Sequence, residues 1–244
     1  MATEFSKRGA RRVLSFMTLS YGKLWAAVER FAGLAAVVIV ALALTAARAG
    51  DSGTRPIKVA ALGDSLTAGL GLPLTEAFPA KLEKALRASG FNVDIANAGV
   101  SGDTVADGLA RLDWSIPKGT EAVLVELGAN DALRGIDPKL TRVGLDEIVK
   151  RLRQQNIAVM LAGMLAPRNF GPDYGDAFDH IYPDLAKAYD VPLYPFFLDG
   201  VATDPKLNQA DGLHPTAEGV DIIVSRMLPT VETWLTRIAA QRQP

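Results

Sequence analysis

Residues 57–66 read Ile57-Lys58-Val59-Ala60-Ala61-Leu62-Gly63-Asp64-Ser65-Leu66. A run that is apolar but for Lys58 stops abruptly at Gly-Asp-Ser. Apolar residues at consecutive rather than alternate positions suit a strand covered on both faces, as in a parallel sheet. The glycine and the two short polar residues mark a tight exit from that strand, with a helix expected to follow.

The same punctuation recurs along the chain. Further strand-like runs lie at 93–96, 122–127, 157–162 and, more briefly, 192–197. Helical patterns fill the intervals at 78–89, 104–112, 140–155 and 177–189, and a last helix is expected over 217–240. Strands alternating with helices predict an α/β fold with a parallel sheet and right-handed crossovers. About five strands fit one domain over 57–240, preceded by a linker at 50–56.

The first 49 residues are a separate piece. They hold seven basic and two acidic residues, a net +5, whereas the remaining 195 carry 19 basic and 25 acidic residues, a net −6. Residues 31–47 carry no charge, and the segment ends in Ala47-Arg48-Ala49. A basic stretch, an apolar run and a small-residue site match a secretory signal peptide cleaved after Ala49. The 17-residue run is also at the lower limit for a membrane span, so an uncleaved signal anchor is the second reading. A buried N-terminal helix is the third, and the basic flank argues against it. Either leading reading exports the domain, to the periplasm or to the outer face of the inner membrane. Membrane contact is then expected only through this segment.

Composition removes several classes. With no cysteine there is no disulfide, thiolate metal site, catalytic thiol or lipid-anchored N-terminus. A formal net charge of −1 gives no electrostatic footprint for nucleic acid. A hydrophobic fraction of 49% is too high for a disordered chain.

In parallel sheets the reactive residues collect beyond the carboxyl ends of the strands. Gly63-Asp64-Ser65-Leu66 follows the first strand, and the stretch from Asn97 to Thr104, with Gly102 in it, follows the second. Gly128-Ala129-Asn130-Asp131 follows the third, and Asp211-Gly212-Leu213-His214-Pro215 comes after the fifth. A serine is a weak nucleophile and needs an adjacent base. Of the two histidines, His214 stands three residues after Asp211, so one turn brings carboxylate to imidazole and leaves Nε2 for Ser65. His180, within a helical pattern among aspartates, reads as a surface histidine. Ser65 N–H, Gly102 N–H and the Asn130 amide are candidate oxyanion donors, each worth roughly 3 kcal/mol in the transition state. Each block also has a plainer reading as a helix cap, turn or loop. Arg134, Arg168 and Lys118 read as isolated, solvated charges.

Four blocks in this order resemble the SGNH (GDSL) hydrolase family, with Ser65, Gly102, Asn130 and His214 at its four named positions. Within it the chain is most similar to a bacterial group of thioesterases, lysophospholipases and arylesterases. The resemblance, over about residues 57–235, implies a flavodoxin-like three-layer α/β/α sandwich with five parallel strands. It implies a serine esterase acting through an acyl-enzyme, with Ser65, Asp211 and His214 catalytic and no cofactor. The chain departs in having Ala129 where many relatives have a second glycine.

The Gly-x-Ser-x-Gly elbow of α/β-hydrolases is absent, as are a His-Glu-x-x-His metal motif and a phosphate-binding Gly-Lys loop. Leu66, Met164, Leu165, Pro167 and Phe170 are the candidate substrate contacts, while Phe178, Ile181 and Tyr182 are expected to pack a helix on the sheet. Small acyl or aryl esters are the expected partners of a monomer. A carbohydrate O-deacetylase of the same superfamily and a non-catalytic flavodoxin-like binding module are the alternatives.

Overall fold

The computed structural model describes residues 55–242. The expected export segment, its cleavage site and residues 50–54 of the linker lie outside them. Among the described residues no helix is long and apolar enough to cross a membrane.

The elements run β1 (Ile57–Gly63), α1 (Ser65–Ala68), α2 (Phe78–Ala88), β2 (Val93–Gly99), α3 (Val105–Ala110) and α4 (Leu112–Ser115). Then follow β3 (Ala122–Glu126), α5 (Ala129–Leu133), α6 (Pro138–Gln154), β4 (Ala158–Ala162), α7 (Pro172–Asp179), α8 (Ile181–Tyr189), β5 (Leu193–Tyr194) and α9 (Ala217–Gln241). The strands form one sheet in the order β2-β1-β3-β4-β5, and every pairing is parallel.

That order has one reversal: the chain leaves β1 for β2 on one side, then crosses back to β3 on the other. Right-handed crossovers therefore put the β1–β2 helix on one face and the helices that link β2 to β3, β3 to β4 and β4 to β5 on the opposite face, while α9, which follows the last strand, is free to return to the first face. The packing agrees. Helix α2 packs on β2 and on α9, while α3, α6 and α8 pack together against the β3–β4 side. Buried aliphatic side chains of β1, β3 and β4 fill both interfaces, with Phe78, Leu82 and Leu86 from α2 and Leu145, Ile148 and Leu152 from α6. The continuous apolar runs thus reflect strands buried on both sides.

Several boundaries differ from the sequence reading. Strand β2 extends to Gly99 because its pairing with β1 continues to Gly63↔Gly99. Strand β5 shrinks to two residues, since Pro192 and Pro195 flank it and neither has an N–H for a ladder. The helix expected at 177–189 is two helices broken at His180. Pro183 cannot donate to the Asp179 carbonyl one turn earlier, and Pro172 starts a separate helix upstream. The helix expected at 104–112 ends at Ala110 and a second short one follows.

The reversal leaves the ends of β1 and β3 as the point where two loops diverge, which is where open α/β sheets hold their ligands.

Candidate active site

Each side chain at this edge is set by the strand it follows. Gly63 ends β1 against the next layer: a Cβ built there would lie 2.1 Å from Thr67 Oγ1 and 2.6 Å from the Glu126 carbonyl oxygen. No larger residue fits that close approach. Asp64 then caps α1, its Oδ1 accepting from Leu66 N at 2.9 Å. The capping role that the sequence offered to Ser65 therefore belongs to Asp64. Ser65 opens the helix, so its N–H is among those that a helix start leaves unpaired.

Ser65 Oγ lies 2.8 Å from His214 Nε2, and His214 Nδ1 lies 2.7 Å from Asp211 Oδ2. Oδ1 of the same carboxylate accepts from the backbone N–H of Leu213 at 2.9 Å and of His214 at 3.0 Å. The loop that makes this possible is closed by Gln209 N donating to the His214 carbonyl at 2.7 Å and by a bridge between Asn208 and Pro215. The His214 and Leu213 backbone N–H groups, with the imidazole behind them, hold the Asp211 carboxyl down at about 2. Asp211 is therefore ionised throughout the range in which an imidazole titrates. A hydroxyl bonded to an imidazole that a carboxylate orients can lose its proton as it attacks a carbonyl.

Asn130 sits in the first turn of α5. Its Nδ2 donates to Asp64 Oδ2 at 3.1 Å and to the Asp103 carbonyl at 3.0 Å. Both amide hydrogens are thus engaged within the protein, which the sequence did not foresee; an oxyanion would share one of them. The N–H groups of Ser65 and Gly102 have no hydrogen-bond partner among the described residues. Asp131, beside Asn130, is structural: its carboxylate accepts from Val105 N and Thr141 Oγ1 and so ties α3 to α6.

Two carboxyls lie under the serine turn, Asp64 and Glu126, both at 0% exposure. Burial pushes Asp64 up to about 6, against the opposing pull of its bonds from Leu66 N and Asn130. Burial, with the charge of Asp64 added to it, drives Glu126 well above the usual carboxylate range. Glu126 Oε2 accepts from Thr67 Oγ1 at 2.6 Å, and Oε1 has no partner. Both groups bind a proton more tightly folded than unfolded. Their contribution to stability is full below the ordinary carboxylate value and is lost as pH rises through the folded value, about 6 for Asp64.

Arg111 braces the edge from below. Its guanidinium pairs with Asp103 and donates to the carbonyls of Ala98 and Gly63, both at 2.8 Å. One buried arginine thus joins the ends of β1 and β2 to the Gly102 loop. Removing one partner of a buried pair leaves the other desolvated. An Arg111→Ala variant is expected to lose about 3–5 kcal/mol and roughly 10 °C of melting temperature. A denaturant titration within 1 kcal/mol of the parent, on the order of error for such measurements, would contradict this.

A cavity of about 450 Å³ opens beside Ser65, Asn130 and His214. Of the expected substrate contacts, Leu66, Met164, Leu165 and Pro167 line it. Phe170 does not: its ring lies against Gly135 and stacks at a tilt on Tyr174, 5.2 Å between centroids. The sequence missed Ala129, Leu133, Phe196, Leu198 and Leu213 on the wall. Leu133 stands three residues from Asn130 on one helix, the one spacing that could have pointed to it. Phe178, Ile181 and Tyr182 are buried in the core, as expected. Arg134 and Arg168 are not isolated charges: Arg134 donates to the Gly102 carbonyl at 2.8 Å, and Arg168 pairs with Asp179 at 2.7 Å. His180 is exposed, its Nδ1 2.7 Å from the Asp176 carbonyl and away from this edge. Among the described residues no three His, Asp or Glu side chains gather as a metal site requires.

A sequence profile of the GDSL-like lipase/acylhydrolase family matches residues 61–222, which contain the serine, glycine, asparagine and histidine blocks. The chain belongs to that family. This GDSL hydrolase is 38% identical over 185 residues to an arylesterase from Vibrio mimicus, covering 75% of this chain and 86% of the relative. It is 40% identical over 167 residues to "Thioesterase 1/protease 1/lysophospholipase L1" of Escherichia coli K12, covering 68% of this chain and 79% of that protein. Among solved structures it superposes on AlinE4, a SGNH-hydrolase family esterase, with a TM-score of 0.63 and 46% identity, covering 79% of this chain and all of that one. The flavodoxin-like sandwich implied by the four blocks is the fold observed.

Proposed function

We propose that the GDSL hydrolase cleaves carboxylic esters and thioesters of small aryl or acyl substrates through an acyl-enzyme. The observation that carries this reading is the continuous relay Asp211–His214–Ser65, ending at the mouth of an apolar cavity. Ser65 Oγ attacks the carbonyl carbon while His214 Nε2 takes its proton. The imidazolium, balanced by Asp211, returns that proton to the leaving alkoxide or thiolate. Water, deprotonated by His214, then attacks the acyl-serine, and Ser65 leaves with the proton restored. Negative charge on the carbonyl oxygen meets the Ser65 and Gly102 N–H groups and a shared Asn130 amide.

The substrate class rests on the cavity wall, where leucines, Met164 and Phe196 outnumber hydrogen-bonding groups. Such a lining suits acyl or aryl groups and offers little to a sugar. The names of the similar proteins, an arylesterase and a thioesterase/lysophospholipase, support the same class. A scan with p-nitrophenyl esters of increasing acyl length and with acyl-CoAs is expected to give turnover on both, rising beyond acetyl. Turnover confined to acetylated carbohydrate would contradict the reading.

The enzyme is further proposed to work outside the cytoplasm. The +5 segment with its apolar run, followed by the Ala47-Arg48-Ala49 site, supports export to the periplasm, with retention as an inner-membrane anchor as the alternative.

A further inference from the structure

We propose that Arg134 is a positioning residue for the oxyanion donors, and that it works by tying the Gly102 loop to the helix that carries Asn130. This rests on the esterase reading above.

Gly102 has a left-handed backbone, φ +89°, and lies exposed on its loop. A Cβ built there would find only one atom within 4 Å, Nη2 of Arg134 at 3.9 Å. Nothing else packs against the outer side of this residue. Glycine is the least restricted residue in backbone torsion, so the direction of its N–H depends on what fixes the neighbouring peptide groups. Here two consecutive carbonyls are gripped. Asn130 Nδ2 donates to the Asp103 carbonyl at 3.0 Å, and Arg134 Nη2 donates to the Gly102 carbonyl at 2.8 Å.

The two gripping residues are four apart, Asn130 in the first turn of α5 and Arg134 capping its end, and therefore share a face. The backbone N–H of Arg134 donates to the Asn130 carbonyl at 3.1 Å, so its main chain is fixed to the same turn. The Gly102–Asp103 peptide has its other end held as well, Asp103 N donating to the Val100 carbonyl at 3.2 Å. One side chain donor, Asn130, and one backbone donor, Gly102, are in this way referred to a common rigid element. Without Arg134 the Gly102 carbonyl turns to solvent, and the N–H on the other side of the same α-carbon loses its fixed direction.

Arg134 touches no reacting atom. Its effect should appear in the chemical step and not in substrate binding, because an oxyanion donor acts where charge develops. The test uses the full-length enzyme and neutral p-nitrophenyl esters. Arg134→Ala is expected to lower kcat about 10- to 100-fold, the cost of a small misplacement, with KM within about twofold. Added ethylguanidinium should restore part of kcat in Arg134→Ala and leave the parent unchanged. Arg134→Lys, which keeps one donor, should retain more activity than Arg134→Ala. An unchanged kcat would overturn the proposal. So would a loss confined to KM, or one seen only with acyl-CoA, since either would make Arg134 a contact for the substrate. A loss of activity that tracks a lowered melting temperature, without rescue by ethylguanidinium, would also overturn it. Loss of the esterase reading itself would show separately, as ester turnover by a Ser65→Ala enzyme.

Discussion

Ser65→Ala is expected to remove ester turnover almost completely, with kcat falling by about 10⁵–10⁶-fold, as when the nucleophile of a coupled catalytic triad is deleted. The size follows from the geometry. Ser65 Oγ is the atom that faces His214 Nε2 at 2.8 Å, and Ser65 is nearly buried at 8% exposure, so an alanine there leaves the fold and the cavity as they are. No other hydroxyl contacts that imidazole among the described residues. What survives should be the small contribution of oxyanion donors acting on water. The measurement is steady-state hydrolysis of a p-nitrophenyl ester at matched enzyme concentration, with a melting curve to show that the fold is intact. Turnover within tenfold of the parent would mean that the bond is cut elsewhere.

His214→Ala is expected to cost about as much, and the Ser65→Ala/His214→Ala double variant no more than a few-fold beyond either single change. A serine without its base is a poor nucleophile, and a base without its serine has no proton to take, so the two losses do not add. The matched control is the second histidine. His180 is exposed, between α7 and α8, and bonded through Nδ1 to the Asp176 carbonyl, so His180→Ala should turn over like the parent. Activity that survived His214→Ala and vanished with His180→Ala would reverse the assignment. Asp211, held down at about 2 by the backbone of its own loop, stays charged across the pH range of such assays. Its support of the imidazolium is therefore present at every pH tested.

Much of this site is legible in the chain because its logic is local. Three residues of spacing between Asp211 and His214 suffice to suggest a turn that pairs them, and the apolar runs that stop at Gly63 and after Leu127 mark where strands deliver their loops. Other features depend on the tertiary structure. Helices α1 and α5 are four and five residues long, too short to show a helical period, yet they carry Ser65 and Asn130. The break at His180 comes from a proline three residues on, and β5 is cut by prolines on either side. Arg134 reads as an isolated charge and Arg111 carries no local signal, because the carbonyls they hold at Gly102, Ala98 and Gly63 are between 13 and 48 residues away. Phe170 shared its loop with real cavity residues, and only packing on Gly135 and Tyr174 sets it apart.

The central claim is that Ser65 forms a covalent acyl intermediate. Treating the enzyme with a p-nitrophenyl alkylphosphonate, followed by intact-mass measurement and peptide mapping, tests it directly. The expected result is one phosphonyl adduct per chain, on Ser65, with p-nitrophenol released in equal amount, activity lost in step, and no adduct on Ser65→Ala. An adduct on any other residue, or full inactivation without one on Ser65, would contradict it.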